Sequence, residues 1–108
     1  MVCGTPCICT DFESGGREIL APDTDIQIRQ KDCIEYAKYG IITPVCDGIW
    51  RDGTIPLTRE EELLADAIIE LLTKEEMQKM YRKKIKEYSD SFSIENCTRE
   101  WEKVLEAL

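Results

Sequence analysis

A chain of 108 residues has room for one domain with a small core. Its 22 acidic against 14 basic residues leave a net charge of −8, which argues against nonspecific nucleic-acid binding and against an anionic membrane surface as partner. Apolar content of 43% with 33% charged residues suits a folded soluble protein. No run reaches the roughly 18 apolar residues that cross a bilayer, and no basic-then-apolar leader opens the chain, so the expectation is a cytoplasmic protein without direct membrane insertion.

In chain order, TPCICT (5–10) is a short apolar run preceded by Gly4, with Pro6 tolerable only near its start. It predicts a buried parallel strand. DFESGG (11–16) predicts a turn, and REIL (17–20) one helical turn closed by Pro22. Residues 22–30 predict an irregular loop. KDCIEYAKYG (31–40) predicts a short helix or turn ending at Gly40. GIITPV (40–45) predicts a second strand from its β-branched residues, with Pro44 marking its end or an edge position. CDGIWRDGTIP (46–56), with two Asp-Gly pairs, predicts a loop rather than a hairpin.

The second half predicts three helices. Thr58 and Glu61 form a capping box, in which hydroxyl and carboxylate satisfy orphan amides reciprocally. The stripe behind it is Leu63, Leu64, Ala67, Ile68, Leu71 and Leu72. Thr73 to Glu76 repeats the box, followed by Met77, Met80, Tyr81, Ile85 and Tyr88. RKKIK (82–86) reads as a solvated basic face. Ser93 caps a last helix carrying Ile94, Cys97, Trp101, Val104, Leu105 and Leu108, with Trp101 expected as a packing anchor. Six cysteines without histidine or a CxxC pair read as reduced thiols serving as small core hydrophobes, and no metal is expected.

The fold class is therefore α/β: a partial Rossmann-like unit of two or three short parallel strands with three C-terminal helices. Residues 1–57 form the strand and loop part, and 58–108 the helical part, of a single domain. Two short parallel strands do not make an independent sheet, which marks the chain as a piece of something larger.

The ordered pieces GTPCICTD, SGGREIL, YGIITPV, PLTREEELLADAIIELL and FSIENCTREWEKVL resemble the last part of the C-terminal, donor-binding Rossmann domain of GT-B glycosyltransferases. The resemblance is strongest to retaining enzymes that build bacterial surface polysaccharides. It implies a parent that transfers a sugar from a nucleotide diphosphosugar to a glycan or lipid-linked acceptor, with no cofactor. Met1-Val2-Cys3-Gly4-Thr5-Pro6 matches the end of the family pattern that carries two glutamates. Both would precede Met1, so the resemblance implies no catalytic residue here and an inactive isolated chain.

By the same resemblance, Thr10, Asp11, Ser14, Gly15, Gly16, Arg17 and Glu18 face the donor. Glycines admit backbone close to a ligand, and Arg17 has the fork that suits a phosphate. Gly15-Gly16 also fits a plain turn, and Arg17-Glu18 an ordinary solvated pair. The expected partners are the nucleotide-sugar donor, the missing half of the enzyme, or a second copy paired through an exposed strand edge. The rival functions are a standalone helical interaction module and a cysteine-based metal or redox protein.

Overall fold

A computed structural model describes all residues from Met1 to Leu108. The elements are β1 (Ile8–Thr10), α1 (Gly16–Leu20), β2 (Glu35–Tyr36), β3 (Ile41–Thr43), α2 (Arg59–Thr73), α3 (Glu75–Ser89), a 3₁₀ turn (Asp90–Phe92) and α4 (Ile94–Glu106). The sheet runs β1-β3-β2. β1 and β3 are parallel, with Ile8 opposite Ile41 and Thr10 opposite Thr43. The architecture is mixed α/β, a partial Rossmann-like unit.

Both apolar runs become strands, each shorter than the run that announces it. Pro44 ends β3, as a residue without an N–H must, yet β3 is the central strand. The third strand is a correction in two respects. KDCIEYAKYG forms no helix; it supplies β2 and the turn of a hairpin, and β2 is antiparallel to β3, with Tyr36 opposite Ile41. Ile34, Glu35 and Tyr36 alternate at period two, and Ala37 N–H to Gly40 C=O at 2.9 Å closes the turn. Gly40 is not a helix end. A Cβ there would lie 2.8 Å from the Cys7 carbonyl oxygen and 3.0 Å from Leu20 Cδ2, so it lets the hairpin settle against β1.

The sheet has an apolar layer on each face because successive strand residues point opposite ways. Ile42 packs with Leu20, Ala21 and Ala37, and half-buried Cys7 and Cys9 join them. Ile41 packs with Ala67, Leu71 and Tyr81, flanked by Ile8, Ile34 and Met77. Tyr81 is buried, and its hydroxyl donates to Ala37 C=O at 3.0 Å, tying α3 to the hairpin. Of the α2 stripe, Leu63, Ala67 and Leu71 are buried, whereas Ile68 and Leu72 are exposed.

The capping box at Thr58 forms as expected: Glu61 N–H donates to Thr58 Oγ1, and Thr58 N–H donates to Glu61 Oε2. Its repeat at Thr73 does not form. α2 extends through Thr73, whose hydroxyl donates back to Ile69 C=O at 2.8 Å, and Lys74 precedes α3 without a side-chain cap. Ser93 caps α4 by accepting from Asn96 N–H.

α4 departs most from expectation. It packs chiefly on the 3₁₀ turn, and Ile94, Trp101, Leu105 and Leu108 all face solvent, Trp101 at 69% exposure. Trp101 is therefore no packing anchor in this chain. The projecting helix gives a radius of gyration of 16.6 Å, against about 13 Å for a compact domain of this length. All six cysteines are free thiols; Cys3, Cys33 and Cys97 are exposed rather than core residues. No helix is long and apolar enough to cross a membrane.

Gly40→Ala is expected to destabilise the fold by about 1–3 kcal/mol, because backbone must move to admit the methyl group. Urea unfolding of the variant against the wild type measures this, and an unchanged midpoint would contradict the packing described.

Candidate functional site

The parallel strands β1 and β3 end side by side, at Thr10 and Thr43, and Asp11 N–H donates to Thr43 C=O at 2.8 Å just beyond them. In open α/β sheets ligands bind in the crevice outside the carboxyl ends of such strands. A cleft of about 490 Å³ lies here, lined by Asp11, Phe12 and Glu13 after β1, Pro44 and Val45 after β3, Arg29, Gln30 and Lys31 from the long loop, and Glu60 from α2. That volume suits a small ligand. Its wall combines an aromatic ring, a short apolar floor and two cations, neither of which forms an ion pair with a carboxylate.

Behind the cleft sits a buried charge network. Arg17 projects from α1 and is 3% exposed. Its Nε and Nη2 donate to Asp11 Oδ1 and Oδ2 at 3.2 and 2.6 Å. Its Nη1 and Nη2 donate to Glu35 Oε1 and Oε2 at 3.2 and 2.5 Å, and Nη1 also donates to Thr24 Oγ1 at 3.1 Å. All five guanidinium N–H groups are thus engaged, with bidentate geometry toward each carboxylate. Asp11 Oδ2 accepts a further hydrogen bond, from Gln30 N–H at 2.6 Å.

These contacts set the protonation states. Hydrogen bonding to Glu35, and then to Asp11, raises the Arg17 pKa against the opposing effect of burial. Burial pushes the Asp11 carboxyl up. The hydrogen bonds from Arg17 and Gln30 N–H, with the charges of Arg17 and Arg29, outweigh it and hold Asp11 below its ordinary 3.8. Burial, with the Asp11 charge second, raises the Cys9 thiol, so Cys9 is a poor nucleophile.

Of the seven residues expected to face a donor, only Asp11 lines the cleft. Arg17 is turned inward onto protein carboxylates with no N–H left for a phosphate. Thr10 is half-buried at the end of β1, while Ser14 is exposed in the turn and Glu18 is exposed on α1. The paired glycines have distinct local reasons. Gly15 holds φ of 87°, in the left-handed region, and a Cβ on Gly16 would meet Cys9 Sγ at 2.9 Å and the Phe12 ring at 3.1 Å. A tight turn packed on β1 accounts for both. Arg29, Gln30 and Lys31 escaped sequence reasoning because loop 22–34 has no periodic signal, Phe12 because it lay in a stretch read only as a turn, and Glu60 because it sat in the first turn of a helix read only for its cap and apolar stripe. The one available sign was a pair of cations two apart in an otherwise acidic loop. No group of three or more cysteine, aspartate or glutamate side chains is arranged to hold a metal ion.

Comparison with known proteins gives one informative match. The chain is 38% identical over 104 residues to a Methanocaldococcus jannaschii protein named an uncharacterized glycosyltransferase. The alignment takes in 94% of this chain and 25% of the relative, so the chain spans a quarter of the length of the protein it resembles. No family model matches the chain, and no solved structure matches it. The similarity supports a glycosyltransferase segment, the class that the ordered sequence pieces resemble.

Two outcomes follow from the network. Asp11→Asn leaves the buried Arg17 without one of its two counter-charges and is expected to cost about 3–5 kcal/mol, read by urea unfolding. Because the folded-state pKa of Asp11 is depressed, its stabilisation is complete above the ordinary value of 3.8 and is lost as pH falls below it. The wild type should therefore lose more stability than Asp11→Asn between pH 5 and about pH 2. Equal losses would show that the carboxylate is not linked to folding.

Proposed function

We propose that this chain is part of the donor-binding domain of a retaining GT-B glycosyltransferase that transfers a sugar from a nucleotide diphosphosugar to a glycan or lipid-linked acceptor in cell-surface polysaccharide synthesis. The observation that carries the reading is the 38% identity to a protein named a glycosyltransferase, sustained over 94% of the chain. The cleft outside β1 and β3 supports it in position and chemistry. Arg29 and Lys31 meet the diphosphate, Phe12 offers a ring to a planar or sugar face, and Glu13 and Glu60 accept hydroxyl hydrogen bonds. Thr10, Ser14, Gly15, Gly16 and Glu18 shape the turn that presents Phe12 and Glu13, and Asp11 and Arg17 anchor it.

In this reading the enzyme works in the cytoplasm, where nucleotide sugars are made, and its catalytic carboxylates come from outside these residues. β1 pairs only with β3. The rest of the enzyme, in preference to a second copy, continues the sheet beyond it. The exposed face of α4 favours a second reading, a helical module that binds a protein partner.

The experiment is release of nucleoside diphosphate from a panel of nucleotide sugars. The longer protein containing this chain should turn over at least one donor, and residues 1–108 alone none. A longer protein that neither binds nor turns over any nucleotide sugar would sink the reading, and turnover by residues 1–108 would refute their inactivity.

A further inference from the structure

The long loop carries the only cations of the cleft wall, yet little backbone holds it. From Asp25 to Cys33 the one backbone–backbone hydrogen bond is local, Ile28 N–H to Asp25 C=O at 3.1 Å. What fixes the Arg29–Lys31 wall to the fold is side-chain bonding. Gln30 N–H donates to Asp11 Oδ2 at 2.6 Å, Gln30 Nε2 to Glu35 Oε2 at 3.4 Å, and Arg29 Nη2 to Glu13 C=O at 2.9 Å. An exposed Arg59–Asp32 pair at 3.9 Å adds little.

The first two anchors, Asp11 and Glu35, are the two carboxylates that Arg17 grips, and it orients both through paired bonds from two adjacent edges of its guanidinium. Asp11 is fully enclosed and Glu35 half-buried, so without the guanidinium neither would keep its present geometry as a charged group. Arg17 also fixes the start of the loop through Thr24, whose hydroxyl in turn donates to Ala21 C=O at 2.7 Å.

We infer that Arg17 is a positioning residue for binding in the cleft: by orienting Asp11 and Glu35 it aims the Arg29–Lys31 wall at a diphosphate-bearing ligand that it never touches. The inference rests on the reading of the cleft as a diphosphate site. Lysine at position 17 would keep one positive charge, but its ammonium is a point donor that cannot hold two carboxylates in fixed planes.

The test uses hydrogen exchange resolved by residue, together with calorimetric binding of inorganic pyrophosphate, on wild type, Arg17→Lys and the double variant Arg29→Gln with Lys31→Gln. In the wild type the Gln30 amide should be protected while its solvent-facing neighbours exchange freely. Arg17→Lys should abolish that protection, leave α2 amides protected, and raise the pyrophosphate Kd of the folded protein about tenfold or more. The double variant should weaken binding while keeping the Gln30 amide protected.

An unprotected Gln30 amide in the wild type overturns the inference without any variant, so a misfolded Arg17→Lys does not shelter it. So does an Arg17→Lys protein that binds like wild type while the double variant does not, which leaves the cleft reading intact. If the double variant binds pyrophosphate as tightly as wild type, the cleft reading itself fails and takes the binding role of Arg17 with it.

Discussion

The arrangement at the strand ends depends on one guanidinium. Arg17 reaches from a five-residue helix into the fold and joins Asp11, just after β1, to Glu35, at the start of β2. Burying an arginine with two carboxylates is expensive, and such a network is tolerated only when nearly every donor and acceptor is used. Here all five N–H groups are. The consequence is geometric more than energetic: α1, the end of β1 and the start of β2, two strands that do not pair with each other directly, meet at one planar group.

That constraint explains the division of labour in the first half of the chain. Parallel strands β1 and β3 bring their carboxyl ends together, and the hairpin lays β2 on the far side of β3. Loop 22–34 then closes one side of the cleft without secondary structure of its own, held by carboxylates that are themselves held. Gly15 and Gly16 serve the same end: Gly15 supplies the left-handed backbone of the turn carrying Phe12 and Glu13, and Gly16 lets that turn sit against Cys9 of β1 without a side chain in the way.

The second half follows a different logic. α2 and α3 cover one sheet face through Ala67, Leu71 and Tyr81, and their polar faces are laced with exposed ion pairs that contribute little. α4 repeats the amphipathic pattern but has nothing to bury against, so its large apolar residues stand in solvent. A match to one quarter of a relative fits such a surface being covered in a longer protein.

Much of this was legible in the residues themselves. Apolar runs marked β1 and β3, the Thr58 and Ser93 caps marked where α2 and α4 begin, and Leu63, Ala67 and Leu71 marked a core face, because these depend on neighbours within a few positions. A likeness to glycosyltransferases was legible too, in the order of its pieces. Whether Arg17 met solvent, phosphate or carboxylate was not, since its partners lie 6 and 18 residues away. Nor was the fate of KDCIEYAKYG, where a weak local pattern yielded to pairing with β3, or of Trp101, whose helical face is encoded but whose cover is not. Local chemistry determined the elements and their caps. Only the tertiary fold decided which charges are buried together, and so where the cleft lies and what holds its wall.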